Sequence, residues 1–529
     1  MAELLKRDYD VVVLKVEANR AATQSPSREP QVRFTLQYHE SATLVDGPVW
    51  EFSSDSIAPP VPERRMARGL APDIVLPQAM LDHLRGWFQQ HTDGTKPLWV
   101  HLVKPYGLLR LVAWERVLGH ALDVPILMLP DFLFPPPREA LQTLDVVLCG
   151  SAPLGHEEAS VHVAMVEAAR AVLGGCDGQR RVHLHVFADR DIAVQLAATW
   201  QSEGLLGHRI TLYDCDDAEP YVLEDPSSRL VDQTGALRSP WLLWMRQALL
   251  GQGVDVVHFV CHGWLSRERG ALLFAQSPLQ RTDRYLAGPV GAVELGTFLT
   301  QVGAWSTAFT ALPDNHSDAG LRWLADEIAQ SRPGPLLVHT VREDPAATAL
   351  AEGYAFVYAL EPRPAPKSTA LLLYCQPYLS SDAVKAAATD VAWAQLRALR
   401  GPFSSPRFRG MAPSASSAAA VAAQTVATRS PFASVARSPL QQTVATWPLA
   451  DSPLDRYFAG GDKVSSVVAS TERFVEQVHL RLQQEVRDRG SEPSAAERAR
   501  MLDTAKTLAK LREAVAEIES RVLKPGESE

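Results

Sequence analysis

Cysteine is scarce in this chain, with five in 529 residues: Cys149, Cys176, Cys215, Cys261 and Cys375. None forms a Cys-x-x-Cys pair or a zinc-ligand spacing, so neither a disulfide framework nor a structural zinc module is expected, and reduced thiols suit a cytoplasmic protein. Basic excess is also missing. The formal net charge is -9 and no basic stripe interrupts it, which removes nucleic acid from the expected partners. No segment approaches the roughly 20 apolar residues of a membrane span. The stretch Met1 to Asp10 carries charges where a secretory leader needs its apolar run. A soluble, intracellular chain with no membrane partner is expected. Gly150-Ser151-Ala152-Pro153-Leu154-Gly155 sits between a strand and a helix, as a phosphate loop would. It has neither the Gly-x-x-x-x-Gly-Lys-[Ser/Thr] lysine nor the Gly-x-Gly-x-x-Gly spacing, and a plain turn with no cofactor is expected.

With 46% hydrophobic and 21% charged residues the chain can bury a sizeable core, and its length suits two or three folded units. Residues 1–90 read as a small β-rich unit, with strands at Tyr9–Glu17 and Gln31–Tyr38. A prolyl break at Pro59, Pro60 and Pro62 and an amphipathic helix over Gln78–Gln90 follow. Residues 91–380 alternate strands and helices, with strands at Asp145–Cys149, Arg181–Phe187, Arg209–Tyr213, Asp255–Cys261, Ala271–Phe274, Trp305–Leu312, Pro335–Val341 and Ser368–Cys375, and with a helix at Leu321–Ala329 after the Trp305–Leu312 strand. Such alternation predicts a doubly wound, mainly parallel α/β sheet.

Within it, Asp255-Val256-Val257-His258-Phe259-Val260-Cys261-His262-Gly263 is a buried, β-branched strand ending in His-Gly. Open α/β sheets build their sites at the carboxyl ends of strands, where an imidazole followed by a turn-permitting glycine is placed for chemistry. The bland alternative is a turn with a hydrogen-bonded ring. His258 and His262 share a strand face and His316 could approach them, which formally permits a metal. A satisfied core histidine at 258 is the preferred reading, and no metal is expected.

A strand ending Cys-His-Gly, a short second strand Ala271-Leu272-Leu273-Phe274-Ala275, a helix and a further apolar strand resemble the CHAT family, caspase-like proteins of clan CD. The resemblance covers roughly Leu98 to Tyr378 and implies a caspase-like sheet in which His262 beside Gly263 acts as base or orienting group. It also implies a cysteine nucleophile at the end of the next sheet strand. Trp305 to Asp318 contains none. Thr310 is the nearest hydroxyl that could stand in, against its plainer reading as a β-branched strand residue. Acidic Asp214, Asp216, Asp217 and Glu219 are either a pocket for basic residues or a solvated loop.

Residues 401–451, rich in Ser, Ala, Pro and Thr, read as a disordered linker. Residues 464–523 read as an α-helical hairpin, its second helix opened by Ser494 and Glu497 and carrying Leu508, Leu511, Val515, Ile518 and Val522 as one apolar seam. That tail loosely resembles helical modules accompanying caspase-like proteins in bacterial conflict systems. Two expectations follow from different classes. The first is a pseudo-peptidase that binds a protein partner, an active caspase-like protease or a sensor, through the hairpin. The second is an active endopeptidase that uses His262 with an unrecognised nucleophile.

Overall fold

The computed structural model describes most of residues 12–375 and a few positions between 498 and 512. The linker expected at 401–451 lies outside the described residues, as does nearly all of the hairpin expected at 464–523.

The chain forms an α/β fold around one mixed, mostly parallel sheet of 14 strands. It opens with an antiparallel meander, β1 (Val12–Asn19), β2 (Gln31–Glu40) and β3 (Thr43–Ser53), and β1 then pairs in parallel with β4 (Leu98–Val103). Through that pairing the amino-terminal strands continue into the main sheet. Across the sheet follow β5 (Ile126–Met128), β14 (Leu371–Tyr374), β13 (Leu336–Thr340), β12 (Ser306–Ala311), β9 (Val256–Ser266), β6 (Thr143–Gly150), β7 (Arg181–Ala188) and β8 (Ile210–Leu212). From β13 to β8 every pairing is parallel, while β14 runs antiparallel to β13.

The parallel strands read as unbroken apolar runs because both faces are covered. Val147, Phe187, Val257, Phe259, Cys261 and Phe309 enter one core, and the alternate residues Val146, Val186, Val256, Val260 and Ala308 enter the other. On the first face lie α1 (Gln78–His91), α2 (Trp114–Leu122), α5 (Pro240–Ala248), α6 (Ala292–Gln301) and α7 (Ser317–Ala329). On the second lie α3 (Glu158–Gly175), α4 (Arg190–Ser202) and α8 (Thr348–Tyr358).

Two expectations change at the strand that carries His262. β9 does not stop at Cys261. It passes through His262 and Gly263 to Ser266 and turns back antiparallel as β10 (Arg269–Ala275), which pairs in turn with β11 (Ala287–Gly291). Gly263 therefore serves no turn. A Cβ there would lie 2.2 Å from the Ser317 carbonyl oxygen and 2.9 Å from the Leu321 nitrogen, so glycine is what lets α7 lie directly on the strand. The contact is reciprocal, since a Cβ on Gly320 of α7 would meet the Trp264 backbone nitrogen at 2.4 Å. The second change is the start of α7, which is Ser317 where the apolar periodicity predicted Leu321. Asp314 accounts for it: its Oδ1 accepts the Ser317 N–H at 2.6 Å, an N-terminal cap for an otherwise unpaired donor.

Candidate functional site

β9 and β12 are parallel neighbours in register from Ser306↔Val256 to Ala311↔Cys261. The next residues of each strand emerge together at the carboxyl rim. There His262 Nδ1 meets Asp314 Oδ2 at 2.5 Å, and Ser317 Oγ lies 3.3 Å from the same nitrogen. A carboxylate can only accept, so the Nδ1 proton points at Asp314, which leaves Nε2 as the atom that carries the lone pair in the neutral form of the ring. Asp314 thus does two jobs, capping α7 and fixing one tautomer of His262.

Ser317 is not arranged as a nucleophile. Its Oγ donates to Asp314 Oδ2 at 2.5 Å and accepts the Gly263 N–H at 2.9 Å, and it approaches the nitrogen that already serves the carboxylate. A serine activated by a histidine needs the opposite ring nitrogen. The site is also closed, with Ser317 0% and His262 3% exposed.

Helix α7 is clamped over this rim by charge. Arg322, 1% exposed, donates to Asp318 at 2.9 Å and to Glu115 of α2 at 3.1 Å, and Arg116 reaches Asp318 at 3.3 Å and Glu343 at 2.7 Å. Burial alone would pull the Arg322 pKa down, but Asp318 and Glu115 more than reverse it and hold the guanidinium charged. Burial likewise pushes Asp318 up, and Arg322 with Arg116 brings it below its ordinary value.

Thr310 sits inside the sheet and not at the rim. Its hydroxyl joins a buried chain running across three strands: Tyr354 Oη to His258 Nδ1 at 3.1 Å, His258 Nε2 to Thr310 Oγ1 at 2.8 Å, Thr310 Oγ1 to His339 Nδ1 at 3.5 Å, and His339 Nε2 to Asp344 Oδ2 at 3.2 Å. One direction satisfies every member. Despite burial, His339 and the Thr348 and Ala349 N–H groups hold Asp344 below the usual carboxylate range, so it accepts. Burial, with Tyr358 and Cys176 nearby, raises the Tyr354 phenol, so it donates. Thr310 therefore donates to one imidazole and accepts from the other. Burial, with His339 adding, lowers His258 to about 3 and keeps it neutral. Residue 258 is the satisfied core histidine that its apolar strand predicts.

All five cysteines are buried and none is in a disulfide. Burial raises the thiols of Cys149, Cys261 and Cys375, and lifts Cys176 to about 11. Burial raises Cys215 as well, against the opposing pull of the Arg190 guanidinium. A thiolate nucleophile needs the reverse environment.

Among the described residues two groups gather metal-type donors. Asp214, Cys215 and Asp216 form one, and the cation beside it is Arg190, paired with Asp216. The acidic loop thus faces a guanidinium of its own chain. The other is Asp145 with His183 and His185 at the amino-terminal rim of β6 and β7. His316 lies outside the described residues. In the turn after β6 the Ala152 N–H is taken by Asp189 at 2.6 Å, and Gly150 makes room for Met165, whose Sδ a Cβ there would meet at 2.1 Å.

The sequence singled out His262, Gly263 and Thr310; the structure brings the first two together with Asp314 and Ser317. Those two carried a readable signal, since Asp-x-x-Ser ahead of an apolar run is a helix-start pattern. Compared with known proteins, the chain matches no family model, no curated protein and no solved structure.

Proposed function

We propose that this chain is a caspase-like pseudo-peptidase, a binding or scaffold component of a prokaryotic signalling, conflict or defence system. The observation that carries the reading is the rim itself: a histidine oriented by an aspartate at the ends of adjacent parallel strands, with all five thiols buried in the cores and with the Ser317 hydroxyl spent on Asp314 and Gly263. Orientation of the imidazole fits a scaffold that once supported acyl transfer. The closed rim and the engaged hydroxyls of Ser317 and Thr310 favour binding over catalysis. The partner is a protein, an active caspase-like protease or a sensor, engaged through residues 464–523.

The test uses the full chain and a peptide library. Cleavage indistinguishable from that by His262→Ala is the expected result. Turnover that disappears in His262→Ala would overturn the reading in favour of an active endopeptidase. For the partner, Leu511→Asp with Ile518→Asp should abolish association and leave the unfolding of the α/β body unchanged.

A further inference from the structure

The amino-terminal rim of the sheet holds a second arrangement that the pseudo-peptidase reading does not use. Asp145 and His183 stand opposite each other in the parallel register of β6 and β7, and His185, two residues further along β7, projects from the same face. Asp145 Oδ1 lies 3.5 Å from His183 Nδ1 and 3.4 Å from His185 Nε2. These separations are long for a charge-assisted hydrogen bond. They match the edge of a tetrahedron whose bonds are about 2.1 Å, which is roughly 3.4 Å, the geometry zinc takes with imidazole and carboxylate.

The rings are oriented from behind. His183 Nε2 is bonded to Thr211 Oγ1 at 2.9 Å and His185 Nδ1 to Tyr213 Oη at 3.0 Å, both from the β8 edge. Tyr213 is itself fixed by stacking on Phe187, with ring centroids 4.4 Å apart and planes 4° from parallel. A hydroxyl that holds the far nitrogen of a metal-binding imidazole, as donor or acceptor, sets which lone pair faces the ion. The backbone that carries Asp145 is anchored as well: its N–H donates to Asp255 Oδ2 and its main-chain carbonyl accepts the Asp255 N–H, each at 2.8 Å. An entry path exists on the side of His183, whose side chain is 37% exposed.

We propose that Asp145, His183 and His185 form a binding site for a divalent transition metal of the zinc type, with three protein ligands and a remaining position open to solvent. The ligand set is two neutral nitrogens and one hard oxygen, which suits zinc over calcium or magnesium. Sequence reasoning passed over it because His-x-His is an ordinary strand pattern and Asp145 lies 38 residues earlier; only the strand register joins them.

The test is equilibrium dialysis of the chelator-treated full chain against zinc alone, with bound metal counted and the thermal midpoint followed. One equivalent bound and a raised midpoint are expected, both lost in His183→Ala. Should that variant fail to fold, His183→Gln, which keeps the side chain's bulk, is read instead. Exposed histidines elsewhere would bind equally in wild type and variant, so the quantity measured is their difference. A difference of one equivalent supports the site; no zinc in the wild type, or undiminished zinc in the folded variant, overturns it.

Discussion

The two rims of the sheet use the same materials, histidine and aspartate on adjacent parallel strands or just beyond their ends, and reach opposite outcomes. At the carboxyl rim a helix has closed over the pair: Asp314 and His262 touch at 2.5 Å, and the same carboxylate caps α7. At the amino rim Asp145 stands 3.4 and 3.5 Å from two rings held by hydroxyls. The lesson is that a His-Asp pair means little until its surroundings are known. Packed under a helix it is a fastening, and spaced at a metal's ligand distances it is a receptor.

That contrast breaks most severely at Arg322. Arg322→Met strands Glu115, 1% exposed, without its guanidinium, and should cost about 3–5 kcal/mol in denaturant unfolding. Adding Glu115→Leu should recover most of the loss.

Acid comes next. The His258 ring, protonated near pH 6.5 in an unfolded chain, stays neutral in the fold down to about 3. Between those values the unfolded state binds more protons. Its contribution is whole above pH 6.5 and should fall by about 1.4 kcal/mol per pH unit below it, a slope that His258→Gln should lessen when unfolding is followed from pH 7 to pH 5. The depressed carboxyls of Asp318 and Asp344 add to the loss only below about pH 4.

Gly263→Ala forces a methyl into the Ser317 carbonyl and should cost about 2 kcal/mol, with α7 amides exchanging faster. Asp314→Asn keeps the bulk and can keep the cap through its carbonyl oxygen, so about 1 kcal/mol is expected, and the imidazole NMR signals of His262 should report its lost partner. In the metal-free chain, His183→Ala at the open rim should change stability by less than about 1 kcal/mol. A larger cost would mean that the amino rim is a fastening too, and the comparison would collapse.

Much of the fold was legible. β6, β7, β9, β12 and β13 are β-branched or apolar runs buried on both sides, and their alternation with amphipathic segments predicts the parallel sheet. The antiparallel hairpin of β9 with β10 was not legible at its turn, because strand propensity does not reveal which partner a strand takes once it leaves its parallel neighbours. Thr310 shows the same limit, since one hydroxyl in a strand can face a rim or an interior network.

The sequence by itself determined which residues are apolar and at what period, hence the strands, the helices and the placement of His262 at a carboxyl end. It also determined that no cysteine follows in the neighbouring strand. Only the tertiary structure decided what the polar residues do. Asp314 reaches His262 across 52 positions of chain, and Asp145 reaches His185 across 40. Hydrophobic period is a local property that a segment carries with it. A hydrogen bond or a ligand set is a matter of tenths of an ångström between strands, fixed by register, helix packing and the glycines that permit both.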